Sequence, residues 1–401
     1  MKHGKRKWVR FRHKVYVAIA KTILRGYVKK KYNVKLKPFN NPDKRQYLIM
    51  YNHQTAFDQF FIALSFKGSV YYVASEDLFS NGFISSLLKH AVAPIPIKKQ
   101  TTDPRAVMDC ARVVKEGGTI AVAPEGNRTF SGKTENINPS IAKMARLLKL
   151  PIAFFKIEGG YGVHPRWSDN VRKGNMRAYV SRILEPEEFL PLSDEELFSL
   201  IKKELFVDET TSTAEFYSKN SAEYLDRVLY VCPHCGLTNI YSNGNTVKCV
   251  KCGKTAVYNP DKTFCGDFGF KHVNDWYEYQ QDYVNKLNIS NYFKKPAFTD
   301  KAKISKVILY KKKRVLFNNA DIALYGDKIV VNNSGKNGMI FPFSRVSGAS
   351  VLGKNKLNIY FDGKVYQFKG GKRFNAVKYV NFYYKYNNEL KGEKNGKFLG
   401  L

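Results

Sequence analysis

The sequence lacks long apolar runs, low-complexity tracts and internal repeats. No stretch of about 18 consecutive apolar residues occurs, so we expect no segment that spans a bilayer. The N-terminus also lacks the continuous apolar segment of a signal peptide, so we do not expect secretion. The absence of a repeat at solenoid periods excludes the repeat architectures.

Acidic side chains are few. The chain of 401 residues has 34 acidic and 67 basic side chains, which gives a formal charge of +33. A charge of this size attracts phosphate-bearing partners such as anionic lipid surfaces, nucleic acid or acidic cofactors. Apolar residues make up 44% of the chain, so we expect a folded protein with two to three domains.

Cysteine is also scarce, but four of the six cysteines form two closely spaced pairs. Cys232 and Cys235 form one C-x2-C motif, Cys249 and Cys252 form the other, and a glycine follows each motif. Four thiolates at this spacing match a tetrahedral Zn²⁺ site in a reducing compartment, whereas a redox dithiol usually has a single pair. Because four ligands close the coordination shell, we predict a structural zinc ribbon over residues 231–255.

Residues 1–30 are predicted to form a basic amphipathic helix. Apolar residues recur at the spacing of one helix face, and lysine and arginine occupy the other face: Trp8, Phe11, Val15, Ile19, Ile23 and Tyr27. This pattern is typical of a helix that lies in a membrane interface. The alternative is a first helix that packs its apolar stripe on the protein core.

Residues 31–190 alternate short apolar runs with helical patterns. Asp103 with Pro104, and Asn138 with Pro139, mark the starts of two helices. The alternation predicts an α/β domain with a largely parallel sheet flanked by helices. Its predicted strands are Tyr47–Tyr51, Val70–Ala74, Ala93–Ile97, Thr119–Ala123, Ile152–Ile157 and Met176–Ile183.

The second half of the chain is predicted to contain three further segments besides the ribbon. Residues 191–230, opened by a capping box at Ser193, are predicted to form a helical connector. Residues 256–300 are predicted to form an aromatic-rich linker. Residues 301–390 alternate strand-like runs with turn sequences and end in a helix capped by Asn375, so we predict an antiparallel, barrel-like β domain. Its topology resembles pleckstrin-homology or GRAM domains.

Two motifs carry chemistry. Residues 52–58, Asn-His-Gln-Thr-Ala-Phe-Asp, follow a strand and open a helix, which places His53 and Asp58 at a sheet edge. An imidazole can take a proton from an alcohol while a carboxylate fixes its tautomer. Residues 123–129 follow another strand and bring Glu125, Gly126 and Arg128 to the carboxyl edge of the sheet, where ligands bind in open α/β sheets. Arginine there can grip a phosphate through two hydrogen bonds, although the motif alone also fits a salt-bridged turn.

Together these two motifs resemble the glycerolipid acyltransferase superfamily, and most of all the 1-acylglycerol-3-phosphate and related lysophospholipid acyltransferases. The resemblance covers residues 45–190. The family's second motif falls on residues 93–99, where Ala93 replaces glycine, Pro96 replaces phenylalanine and Lys99 replaces arginine. In the fourth motif Pro151 matches, and Phe154 stands where the family has a second proline.

The resemblance implies transfer of an acyl chain from a thioester, on coenzyme A or acyl carrier protein, to a hydroxyl of a lysophospholipid such as 1-acylglycerol-3-phosphate. His53 would be the general base and Asp58 its orienter. Glu125, Gly126 and Arg128 would bind the acceptor. Lys98 or Lys99 would assist, unless these lysines form a solvated face.

The resemblance also implies an oxyanion site at amides after His53 or near Gly126, and it requires no catalytic cofactor. It favours the membrane role of the first helix, so we expect peripheral attachment to an anionic surface at the cytoplasmic face of the cell membrane. Two alternatives are a nucleic-acid-binding protein, which we do not favour because basic residues spread over the whole chain, and a non-catalytic lipid-binding relative. The remaining histidines, including His164, have no partner motif and are assigned no role.

Overall fold

A computed structural model describes residues 7–41, 45–80, 82–97, 103–308, 311–332, 338–393 and 396–399. Two large sheets dominate the described part of the chain, one in each half. The described residues form ten α-helices: α1 (Phe11–Tyr32), α2 (Asp58–Ser65), α3 (Phe83–Ala91), α4 (Pro104–Lys115), α5 (Ser140–Leu148), α6 (Gly160–Val163), α7 (Pro186–Phe189), α8 (Asp194–Leu205), α9 (Val273–Lys286) and α10 (Val377–Leu390).

The first half is a seven-stranded sheet flanked by helices. Its strands are β1 (Val34–Leu36), β2 (Leu48–Tyr51), β3 (Val70–Ser75), β4 (Ile95–Ile97), β5 (Thr119–Val122), β6 (Ile152–Glu158) and β7 (Met176–Leu184). The strand order is β1-β7-β6-β2-β5-β3-β4, and every neighbouring pair is parallel except β6 with β7. The predicted largely parallel α/β sheet is confirmed, with β1 added to the six predicted strands.

Side chains of the central strands alternate between two cores. Leu48 and Met50 of β2 lie in the core that packs under α4, α5 and α8, while Ile49 and Tyr51 lie in the core under α1 and α2. All four are nearly fully buried, which explains why the strand reads as a continuous apolar run. Because β2 and β5 are parallel neighbours, the loops that follow them meet at one edge of the sheet.

The predicted helical connector is helical only at its start. Ser193 forms the expected capping box with Glu196, and α8 then ends at Leu205. The prediction of further helix up to Tyr230 is wrong. The backbone there forms only short turns and also bonds to other segments: the amide of Tyr217 donates to the carbonyl of Lys173, and that of Phe216 to Pro260.

The ribbon region contains short strands that surround the four cysteines. These are β8 (Val231–Cys232), β9 (Gly236–Leu237), β10 (Ile240–Asn243), β11 (Thr246–Cys249), β12 (Thr255–Tyr258) and β13 (Phe264–Gly266). The next segment was predicted to be a linker, and this is also wrong, because α9 buries Trp276 and Tyr277 in the core that the ribbon shares with the C-terminal sheet. The indole nitrogen of Trp276 donates to the carbonyl of Val231 at 2.7 Å.

The C-terminal half is a curled antiparallel half-barrel. Its strands are β14 (Phe298–Val307), β15 (Arg314–Leu324), β16 (Lys328–Val331), β17 (Met339–Pro342), β18 (Val346–Leu352), β19 (Lys356–Phe361) and β20 (Lys364–Gly370), in the order β17-β16-β15-β14-β20-β19-β18. The sequence prediction missed β18. The C-terminal helix α10 is present as predicted, with the side chain of Asn375 accepting from the amides of Val377 and Lys378.

Candidate active site

His53 and Asp58 form a hydrogen-bonded pair at the carboxyl edge of the first sheet. The Nδ1 atom of His53 lies 2.8 Å from Oδ2 of Asp58. The His53 side chain is 22% exposed, whereas that of Asp58 is fully buried. With Nδ1 held by the carboxylate, Nε2 is the ring nitrogen that can accept a proton from a substrate.

The chain between these two residues fixes the carboxylate of Asp58. The amide of Gln54 donates to Oδ2 at 2.8 Å, and the amide and hydroxyl of Thr55 donate to Oδ1 at 3.0 and 2.6 Å. Asp58 is the first residue of α2, so the positive end of the helix dipole also faces it. A buried carboxylate that accepts this many hydrogen bonds keeps its orientation.

Asn52 and Glu125 tie the His53 loop to its neighbours. The side-chain amide of Asn52 donates to the carbonyl of Ile157 and accepts from the Ile157 amide, both at 2.8 Å, which joins the end of β2 to β6. Oε1 of Glu125 accepts from the amide of His53 at 2.9 Å. The two motifs that are about seventy residues apart in sequence are therefore in direct contact.

The environment of Glu125 favours its neutral form. Burial raises the pKa of Glu125 to about 8, an effect that the hydrogen bond from the His53 amide opposes in part. The carboxyl group of Glu125 is therefore mostly protonated at neutral pH. Gly126 lies in the same turn, and its amide donates to the carbonyl of Ala123 at 2.9 Å.

Arg128 is a buried cation near the pair formed by His53 and Asp58. It is 8% exposed, and its Nη1 atom makes no hydrogen bond to the described residues. Burial lowers the pKa of Arg128, and the negative charge of Asp58 opposes that shift. A buried guanidinium with an unsatisfied donor is costly unless an anion binds it.

The site lies in a region that matches known proteins. Residues 31–156 match the family model described as Acyltransferase. The chain contains a domain of the glycerolipid acyltransferase superfamily. The match covers residues from β1 into β6 and includes both motifs that contribute to the site.

Two individual proteins are similar to this chain. It is 24% identical over 137 residues to the 1-acyl-sn-glycerol-3-phosphate acyltransferase of Bacillus subtilis (strain 168), a match that covers 34% of this chain and 65% of that protein. The chain thus spans just under two thirds of the length of this curated relative. The crystal structure of the 1-acyl-sn-glycerophosphate (LPA) acyltransferase PlsC from Thermotoga maritima matches with a TM-score of 0.39 and 20% identity, over 48% of this chain and 75% of that one.

The second motif of the acyltransferase domain contains a residue in a left-handed conformation. Ala93, which stands where the family has glycine, adopts a positive φ of 42°. This left-handed conformation is strained for alanine by roughly 1 kcal/mol. The predicted site residues Lys98 and Lys99 lie outside the described residues.

The amides proposed for the oxyanion are already used. Those of Gln54 and Thr55 donate to Asp58, and that of Gly126 donates to Ala123, so none of these three is available for a tetrahedral intermediate. The unsatisfied Nη1 of Arg128 is a donor at this edge of the acyltransferase domain that remains available.

Sequence reasoning missed two residues near Arg128. The hydroxyl of Tyr32, at the end of α1, lies 3.3 Å from Nδ1 of His164, and His164 is 6% exposed. Burial, followed by the charges of Lys354 and Arg128, lowers the pKa of His164 to about 3. No motif surrounds His164, and its partner Tyr32 is distant in sequence, so no local signal marked it.

The four predicted metal ligands come together outside the acyltransferase domain. The sulfur atoms of Cys232, Cys235, Cys249 and Cys252 all lie within 4.8 Å of one another, and those of Cys232 and Cys252 are 3.8 Å apart. Tetrahedral zinc with thiolate ligands has sulfur atoms roughly 3.8 Å apart. Both glycines that follow the motifs, Gly236 and Gly253, have positive φ, as expected for the tight turn around a metal. His234 is exposed and contacts the carbonyl of Asp267 instead.

The apolar stripe of α1 is largely exposed. Phe11 is 79% exposed, Ile19 56% and Ile23 70%, whereas the residues of α1 that are buried are His13, Val28 and Tyr32. The alternative that this stripe packs on the core is therefore wrong. Trp8 departs from the predicted stripe, because its indole nitrogen donates to the carbonyl of Ala93 at 2.8 Å. No helix among the described residues has the length and apolarity needed to cross a membrane.

Proposed function

We propose that the chain transfers an acyl group from acyl-CoA or acyl carrier protein to the free hydroxyl of 1-acylglycerol-3-phosphate, which yields phosphatidic acid. The observation that supports this most is the hydrogen bond of 2.8 Å between Nδ1 of His53 and the fully buried Asp58. It supplies an oriented general base at the sheet edge of an acyltransferase domain. The curated relative, a 1-acyl-sn-glycerol-3-phosphate acyltransferase, supports this choice of acceptor.

The reaction follows from the chemistry of the pair. Nε2 of His53 takes the proton of the acceptor hydroxyl while the oxygen attacks the thioester carbonyl, and Asp58 stabilises the imidazolium that forms. The tetrahedral intermediate then collapses, its carbon–sulfur bond breaks, and His53 returns the proton to the leaving thiolate. Because the thioester is already activated, the chain needs no serine or cysteine nucleophile.

The acceptor phosphate would be bound at Arg128. This guanidinium is buried next to the catalytic pair and has an unsatisfied Nη1. Gly126 and the neutral carboxyl group of Glu125 lie in the same turn and would contact the glycerol. Lys98 and Lys99 stay candidates for the same role.

We propose that α1 attaches the protein to an anionic membrane surface at the cytoplasmic face of the cell membrane. The exposed stripe of Phe11, Ile19 and Ile23 supports this, since buried apolar area and basic side chains both favour interfacial binding. The neighbouring helix α3 contacts α1 through Tyr16 and His90 and adds exposed Phe83. The site would thereby lie near its lipid substrate.

We propose that the four cysteines hold a structural Zn²⁺. Cys232 and Cys249 belong to the core shared with α9 and the C-terminal sheet, so the metal would fix this half of the molecule. The competing idea, a nucleic-acid-binding ribbon, needs an exposed aromatic platform. The aromatic residues Phe268, Trp276 and Tyr277 are buried instead.

The decisive experiment follows thiol release from acyl-CoA or acyl carrier protein with 1-acylglycerol-3-phosphate. We expect His53→Ala to abolish turnover, because no other group would accept the hydroxyl proton. His90→Ala is the matched control, since His90 is exposed on α3, and it should retain wild-type turnover. Unaltered turnover in His53→Ala would refute the mechanism, and no product from the wild type would refute the proposed reaction.

The membrane role is tested by liposome flotation. Deleting α1 would remove the buried Val28, so the better variant is Ile19→Glu combined with Ile23→Glu. We expect binding to vesicles that contain anionic lipid to fall at least about tenfold, because two apolar contacts of over 1 kcal/mol each are lost. Leu147→Glu, at an exposed leucine of α5, should bind as the wild type does. Equal binding of all three proteins would contradict the proposal.

A further inference from the structure

A buried arginine of the acyltransferase domain, Arg166, contacts the C-terminal sheet. The guanidinium of Arg166 is 1% exposed and donates to three backbone carbonyls, those of Arg128 at 2.8 Å, Val351 at 2.8 Å and Gly353 at 2.7 Å. Val351 and Gly353 lie at the turn between β18 and β19. This turn is therefore fixed against the loop that carries Arg128.

Two buried polar groups beside this turn lack a partner. Nη1 of Arg128 and Nε2 of His164 make no hydrogen bond to the described residues, and both side chains belong to residues that are more than nine-tenths buried. Arg166 joins the loop of Arg128 to Gly353, the residue before Lys354, and the charges of Arg128 and Lys354 both act on His164. Buried polar nitrogens without a partner indicate that a ligand binds here and supplies the missing hydrogen bonds.

Lys354, the residue after Gly353, adds a second cation to the group formed by Arg128 and His164. Its Nζ atom lies 2.8 Å from Oδ1 of Asp169. Asp169 is shared, because the guanidinium of Arg227 donates to both of its oxygens at 2.8 and 3.0 Å. One carboxylate thus faces two cations, and Arg128 adds a third positive charge nearby. Arg128, Lys354 and Arg227 outnumber the nearby carboxylates of Asp169 and Asp58, and this excess of positive charge suits a phosphate dianion.

We propose that Lys354, a residue of the C-terminal sheet, completes with Arg128 the binding site for the phosphate of the acyl acceptor. This inference rests on the proposed function and gives the C-terminal half a role in acceptor recognition. A phosphate monoester carries nearly two negative charges, which one guanidinium does not balance.

The test compares Lys354→Gln with the matched variant Lys301→Gln. Lys301 also pairs with an aspartate, Asp321, at 2.7 Å, but on an exposed part of the same sheet. With 1-acylglycerol-3-phosphate we expect Lys354→Gln to raise KM about tenfold, the loss of one charge-assisted hydrogen bond, with kcat changed less than about twofold. With 1-acylglycerol, which has no phosphate, KM should not change. Lys301→Gln should match the wild type throughout.

A second measurement does not depend on turnover. Calorimetric titration with glycerol 3-phosphate, without any acyl donor, should show about tenfold weaker binding to Lys354→Gln than to the wild type. If the glutamine variant has a lower Tm than Lys301→Gln, then Lys354→Met, which keeps most of the aliphatic length, replaces it with the same expectations.

The outcomes separate this inference from the proposed function. An active enzyme in which Lys354→Gln leaves KM for 1-acylglycerol-3-phosphate unchanged overturns the role of Lys354 alone. A rise in KM confined to acyl-CoA would also overturn it and would assign Lys354 to the phosphates of the donor. An equal rise in KM for 1-acylglycerol-3-phosphate and 1-acylglycerol would overturn it as well. A wild-type protein that does not acylate 1-acylglycerol-3-phosphate overturns the proposed function itself.

Discussion

The two sides of the site differ in how far the protein satisfies its own polar groups. Both oxygens of Asp58 are occupied by hydrogen bonds from His53, Gln54 and Thr55. On the other side of the site, Arg128 and His164 each have a buried nitrogen without a partner among the described residues. The first arrangement is complete without a substrate, and under the proposed function a ligand would complete the second.

Asp58→Asn should have the largest effect on the side of the site formed by His53 and Asp58, in which both carboxylate oxygens have hydrogen-bond partners. The amide group can donate to Nδ1 of His53, which selects the tautomer that cannot act as a base at Nε2. We expect kcat to fall by about a thousand- to ten-thousandfold, with the protein still folded. Steady-state thiol release measures this.

Asp362→Asn is the control for that variant, because Asp362 is also ion-paired, with Arg345, but lies in an exposed turn of the C-terminal sheet. Its kcat should equal that of the wild type. A loss of less than about tenfold in Asp58→Asn would show that Asp58 does not orient the base.

Arg128→Lys tests the other side of the site, the incomplete side, where Arg128 and His164 have nitrogens without a partner among the described residues. Lysine keeps the charge but not the forked geometry, so the acceptor should bind less tightly while the base is untouched. We expect KM for 1-acylglycerol-3-phosphate to rise roughly tenfold to a hundredfold with a smaller change in kcat. Arg182→Lys, at an arginine paired with Glu188 and Glu204, serves as the control. A change confined to kcat would place Arg128 at the oxyanion instead of the phosphate.

The contribution of the C-terminal half to the incomplete side is tested by Cys249→Ser. Loss of a buried thiolate should release zinc and lower Tm by several degrees, because the ribbon shares its core with the C-terminal sheet. Since that sheet carries Lys354, KM for the acceptor should rise several-fold. Metal analysis, calorimetry and kinetics measure the three effects. Cys265→Ser alters an exposed cysteine outside the cluster and should change none of them. A Cys249→Ser protein that retains zinc would contradict the ribbon assignment.

The last comparison concerns the pH dependence of stability that comes from the Glu125 side chain, which joins the two motifs. Its pKa is about 8 in the folded protein and 4.5 in the unfolded chain, so the folded state binds the proton more tightly. The resulting stability is fully present below pH 4.5 and is lost as the pH rises through 8, by up to about 1.4 kcal/mol for each pH unit. We expect the Tm of Glu125→Gln to fall less than that of the wild type between pH 5 and pH 8.

Glu187→Gln, at an exposed glutamate of α7, should keep the wild-type dependence of Tm on pH. Parallel Tm curves for Glu125→Gln and the wild type would show that Glu125 is ionised in the folded protein.

Much of the first half could be predicted from the sequence, because the relevant signals are local. His53 and Asp58 are five positions apart, and a strand that ends before a helix start places them together. The second half was harder to predict. The run from Phe206 to Tyr230 contains polar, helix-compatible stretches, but it forms only short turns, and several of its backbone hydrogen bonds go to distant segments. The helix α9 was predicted to be linker although Trp276 is buried. The spacing of apolar residues along the sequence does not show which aromatic side chains are buried in a core.

The sequence by itself determined the pairing of His53 with Asp58, the alternation of strands and helices, and the four thiols that converge on one site. These depend on spacings of a few residues, or on residue types with one dominant use. Only the tertiary structure decided that the stripe of α1 is exposed, and that Lys354 lies beside Arg128. The hydrogen bond from Lys354 joins residues 185 positions apart, and that from Tyr32 to His164 joins residues 132 positions apart. Such contacts form when separately folded surfaces pack together, and no pattern along the chain encodes them.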